Sequence, residues 1–142
     1  MRRFFLAAIA VACAACASPA APSSAGGVTD ISGAWSGTLT STNNPMVQLG
    51  LNISQTGSTI TGTWSSTSVT WSGEVTGTMN GSSLSGRLTF SGTTASNSVC
   101  TGTANLSGTA SATSLSLTSA TGVTGPTCAA PLPVGIQIDL HR

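Results

Sequence analysis

The chain has 142 residues, 5% of them Asp, Glu, Lys or Arg, with one histidine and a formal net charge of +1. It contains no lysine and no basic stripe, which excludes an electrostatic nucleic-acid binder, and its single His141 gives little basis for Ser/His/Asp catalysis. The length suits one domain with a modest core.

Residues 1–15 read as an export signal: Arg2 and Arg3, then an uncharged stretch from Phe4 to Ala15, too short to cross a bilayer core of roughly 30 Å. Ala15-Cys16-Ala17 fits the small-x-small pattern of ordinary signal cleavage. Ala14-Ala15-Cys16 resembles the lipobox of bacterial lipoproteins, although Cys13 stands where that family prefers Leu, Val or Ile. The resemblance implies a lipid on Cys16 and the membrane as a partner. Ala17, rather than Asp, after the cysteine implies the outer membrane of the bacterial envelope. Ordinary cleavage, giving a periplasmic or secreted protein, and lipidation at Cys13 are the alternatives. Residues 16–29 are rich in Ser, Ala, Pro and Gly and read as a flexible tether, leaving residues 30–142 as the folded domain.

That domain reads as all-β, because apolar residues recur with period two and no segment shows the 3.6 period of a helix. Eight strands are expected near 32–40, 46–54, 59–65, 69–79, 83–91, 99–109, 113–119 and 134–141. In the second, Val47, Leu49, Leu51 and Ile53 share a face opposed by Gln48, Gly50, Asn52 and Ser54. Ile60 and Trp64 continue the pattern, followed by Trp71, Val75 and Met79, then Leu84, Leu88 and Phe90. Cys100, Ala104 and Leu106 come next, then Leu115 and Leu117, and finally Val134, Ile136, Ile138 and Leu140. Glycines punctuate these apolar faces, where a missing side chain permits strand coiling or leaves room for a tryptophan or a ligand. Turn chemistry falls at Asn43-Asn44-Pro45, Thr56-Gly57, 66–68, Asn80-Gly81, 91–97 and 122–133. Asn80-Gly81 is the strongest hairpin signal. Eight short antiparallel strands with one apolar face each close most simply into an up-and-down β-barrel, with a β-sandwich as the runner-up. An outer-membrane barrel would instead need aromatic girdles and a polar, often charged lumen. Three tryptophans, no tyrosine and few charges do not supply them.

Ile31-Ser32-Gly33-Ala34-Trp35, Ile60-Thr61-Gly62-Thr63-Trp64 and Val134-Gly135-Ile136-Gln137-Ile138 together resemble the avidin family of eight-stranded barrels. Gly-x-Trp openings also occur in lipocalins and in bacterial metalloprotease-inhibitor barrels. The avidin resemblance implies ligand positions at Leu39 and Ser41. Gly37 replaces that family's hydrogen-bonding Asn and Trp64 its Tyr, which implies that biotin itself is not the ligand.

In the mature domain Cys100 and Cys128 enclose 27 residues and are expected to form a disulfide. Such a loop is worth about 3–4 kcal/mol in the chain-entropy picture. Two isolated thiols do not make a metal site, and no catalytic residue or cofactor is expected. Trp35, Trp64 and Trp71 lie on apolar faces, where they fill the core or wall a ligand site. Three functional classes follow: a noncatalytic barrel holding a small apolar ligand near Trp35, Leu39, Ser41, Trp64 and Trp71, a structural or adhesive module with Ser/Thr faces, and a protease inhibitor acting through its N-terminal segment.

Overall fold

The structure is a computed structural model that describes residues 27–41, 44–93, 99–119 and 136–142, with backbone only at 41, 44 and 45. The signal, Cys13, Cys16, Cys128 and most of the proposed tether lie outside the described residues. Eight strands run in chain order: β1 (Gly33–Ser41), β2 (Asn44–Thr56), β3 (Thr59–Ser66), β4 (Trp71–Asn80), β5 (Ser83–Thr93), β6 (Val99–Ala110), β7 (Ser114–Thr118) and β8 (Gln137–His141). Each pairs antiparallel with the next, and β8 pairs with β1 to close an up-and-down barrel. Closure removes the sheet edges that a sandwich would have kept.

Alternation sets which side faces in. Leu49, Leu51 and Ile53 on β2 are buried, and Ile60 and Trp64 on β3, Val75 and Met79 on β4 and Leu84, Leu88 and Phe90 on β5 join them in one core. The intervening Ser and Thr point outward. A barrel of eight strands has an interior that side chains just fill, and each fully buried Leu or Ile contributes roughly 1.5–3 kcal/mol. Followed from Ser36 through Gly50, Ser65, Ser72 and Ser91, one cross-strand row reaches β6 at Thr101. Followed the other way, through His141 and Ser114, it reaches Ser111. Closure therefore staggers the strands by roughly ten residues, which tilts them steeply to the barrel axis.

The Asn80-Gly81 hairpin forms one residue out of the expected phase. Asn80 stays in the ladder opposite Ser83, and Gly81-Ser82 makes the turn. Gly81 has φ +60° at the first central position, where the primed hairpin turns require a positive value. Pro45, expected in a turn, lies within β2.

One end of the barrel is stoppered by the segment before β1. Thr29 N–H donates to the Gly81 carbonyl at 3.0 Å, and Ile31 N–H donates to Gln55 Oε1 at 2.9 Å. Gln55 Nε2 donates in turn to the Thr29 carbonyl at 3.0 Å. Ile31 is fully buried. The chain then turns into β1 through Gly33, whose φ of +117° a residue with a side chain rarely adopts. Arg142 locks the stopper from the other terminus, donating from Nη2 to the Ser32 carbonyl at 2.6 Å with its guanidinium 4.3 Å above the centre of the Trp35 ring.

Candidate functional site

The two ends of the barrel differ in chemistry. The stoppered end carries the tight Gly57-Ser58 and Gly81-Ser82 turns and the ionisable side chains of Asp30, His141 and Arg142. The opposite end carries the connections β1–β2, β3–β4, β5–β6 and β7–β8, and three of the four large hydrophobics exposed among the described residues. These are Met46 and Val99, each 60% exposed, and Val69, 44% exposed. Among the described residues this end carries no ionisable side chain. The sequences of 42–43, 94–98 and 120–135, which belong to the same connections, contain no Asp, Glu, Lys, Arg or His.

Trp71 is the aromatic centre of that end. It is partly buried against the core, and its ring stacks on Phe90 with centroids 5.5 Å apart and planes 8° apart. The indole lies directly against Gly92 of the neighbouring strand, where an added Cβ would collide with it. Its Nε1 donates to the Thr93 carbonyl at 3.3 Å. Polar groups beside it are already engaged in shaping the β3–β4 turn: Ser66 Oγ donates to the Gln48 carbonyl at 3.0 Å and accepts from the backbone N–H groups of Ser68 and Val69.

The remaining candidate residues separate by depth. Leu39 is partly buried on β1, opposite Val47 and Ile138, and belongs to the Trp71 end. The backbone of Ser41 ends β1 at the same level, opposite Asn44. Trp64 is only 5% exposed, and its indole crosses Gly73 to donate to the Thr89 carbonyl at 2.9 Å, two strands away. Trp35 is buried next to the stopper and donates to the Ile31 carbonyl at 2.9 Å. Leu39, Ser41 and Trp71 therefore share the open end, whereas Trp35 and Trp64 are bonded core residues. The room that glycines leave beside tryptophans is real at Gly73 and Gly92, and the indoles themselves occupy it.

Cys100 is buried at the Trp71 end, opposite Gly92, and is disulfide-bonded. Cys128, its expected partner, lies outside the described residues. The Asp30 carboxyl lies below its ordinary range: the Ser32 N–H and hydroxyl, donating at 2.9 and 2.7 Å, hold it low, and the nearby positive charge of Arg142 adds to the effect. Three open depressions among the described residues lie on the outer wall, floored by strand backbone and edged by residues such as Thr61, Thr63, Glu74 and Thr76. The segment expected to act in an inhibitor is, from Thr29 to Ser32, bound to the barrel by the stopper contacts.

Met46, Val69 and Val99 were not singled out from sequence, yet two of them leave a trace there. Met46 and Val99 sit in the outward phase of strands whose inward phase is Val47-Leu49-Leu51 and Cys100-Ala104-Leu106, so each is an apolar residue on the polar face. Arg142 offers no such trace, because only barrel closure brings it to Trp35. No family model matches the chain, and no curated protein or solved structure matches it.

Proposed function

We propose that this protein is an exported, lipid-anchored, noncatalytic barrel of the bacterial envelope that holds a small apolar molecule at its Trp71 end. The observation that carries this is Trp71, partly buried and stacked on Phe90, at the end of the barrel opposite the stopper, where Leu39 and the exposed Met46, Val69 and Val99 also lie. Three of the four large apolar side chains exposed among the described residues fall at that end, on an otherwise Ser/Thr-covered surface. A half-buried indole backed by a stacked phenyl offers a rigid apolar wall. The ligand lies across this end and not deep in the ring, since reaching Trp64 would mean displacing packed core. Export and anchoring rest on the signal and its lipobox-like Ala14-Ala15-Cys16.

Native mass spectrometry of the protein purified from its own envelope tests the proposal. The expected spectrum carries the mass of a lipid on Cys16 and of a bound small molecule that is lost in Trp71→Ala. A ligand retained by that variant, or none in the wild-type protein, counts against the Trp71 end.

A further inference from the structure

We infer that Met46 is an oxidation site of this domain: a peroxide converts its thioether to the sulfoxide, turning an apolar point of the Trp71 end into a strong hydrogen-bond acceptor, whether or not that end holds a ligand. Met46 and Met79 are the methionines among the described residues, and the barrel places them oppositely. Met79 points inward from β4, is 3% exposed and belongs to the core. Met46 lies in the outward phase of β2 and is 60% exposed. Thioether oxidation follows access, so the folded domain offers an oxidant one of these sulfurs and shields the other.

The surroundings of the exposed sulfur suit the product better than the reactant. Gln48 follows Met46 in the same outward phase, and its Nε2 donates to the Met46 sulfur at 3.9 Å, a weak bond because a thioether is a poor acceptor. The backbone of Gln48 is tied to the β3–β4 turn: its carbonyl accepts from the Thr67 N–H and the Ser66 hydroxyl, each at 3.0 Å, and its own N–H donates to Ser68 Oγ at 3.2 Å. A donor carried on that backbone is in reach of an oxygen added to the sulfur. In the step, a sulfur lone pair attacks one peroxide oxygen, so that an S–O bond forms as the O–O bond breaks. The other oxygen takes the proton of the transferred one and leaves as water or an alcohol, the peroxide being reduced as Met46 is oxidised by two electrons. Sulfoxide reductases reverse the change, one enzyme for each epimer. Because this side chain stands outside the core, the barrel keeps its packing while the Trp71 end loses apolar surface.

Graded hydrogen peroxide added to the whole folded protein, followed by peptide mapping, tests this. Met46 is expected to gain one oxygen about tenfold faster than Met79, or more, and to lose it again to a mixture of the two sulfoxide reductases. Retention on a hydrophobic-interaction column is expected to fall in step with oxidation of Met46, with the urea unfolding midpoint unchanged. Met46→Leu is expected to abolish both the fast oxidation and the fall in retention. Oxidation of Met79 as fast as that of Met46 overturns the proposal. So does full oxidation of Met46 with retention unchanged, or a fallen urea midpoint before Met79 has reacted, which would mark damage to the fold instead of a change at its surface.

Discussion

Asp30 shows how one side chain can hold a barrel end shut. Its carboxylate accepts from the Ser32 N–H and hydroxyl, shaping the bend that delivers Ile31 to the core and the Ser32 carbonyl to Arg142. Because those bonds favour the ionised form, its pKa in the folded protein lies below the unfolded value of about 3.9. The sign follows: the stabilisation is fully present above the unfolded value and is lost as the pH falls through the lowered folded one. Amide exchange at Ile31 and Ser32, corrected for intrinsic rate, is therefore expected to accelerate below about pH 4 while the β2–β3 ladder stays protected. Asp30→Asn should show the faster exchange already at pH 7. Equal protection at pH 7 and pH 3 would rule this role out. The Asp30-Ser32 pair lies within three residues, but the sequence reading did not use it, because the site it serves is completed by a residue 110 positions away.

Among the strands, glycine has two separable uses. Gly73 faces inward beneath the Trp64 indole: an added Cβ would lie 2.8 Å from Trp64 Nε1 and collide with the Thr89 carbonyl that receives its proton. Gly50 is on the outward phase of β2, where an added Cβ meets nothing nearer than the Trp35 carbonyl at 3.9 Å. Gly73→Ala is therefore expected to cost about 1–3 kcal/mol in urea unfolding through overpacking, and Gly50→Ala to be neutral or to stabilise by up to about 1 kcal/mol by restricting the unfolded chain. Equal effects of the two would show that glycine placement here is not about indole packing. The strands themselves were legible, since Leu49-Leu51-Ile53 and Leu84-Leu88-Phe90 announce period two and turn residues bound them. The partner of each inward glycine was not, because Gly73 meets Trp64 only once the β3–β4 register is set.

Over the whole molecule, the barrel was foreseeable from eight one-sided strands, but its polarity was not. Gly27 to Ser32 has the composition of a linker running into a strand, yet Ile31 is a core residue and Thr29 is bonded to a distant hairpin. Two ends with opposite character arise from closure and from where the termini fall, which no local pattern encodes. The proposed anchor is tested directly: Cys16→Ser is expected to move the protein from the membrane fraction to the soluble envelope fraction and to remove the mass of the acyl chains. A variant still in the membrane fraction would argue for Cys13 or for another means of attachment. The stopper also has a mechanical consequence. Tension applied through the N-terminal segment is borne first by the Thr29–Gly81 and Ile31–Gln55 bonds and by the Arg142 clamp, at the pole farthest from Trp71. The stopper would yield before any strand is peeled from the ring, so a load on that pole can be absorbed while the Trp71 pole keeps its shape.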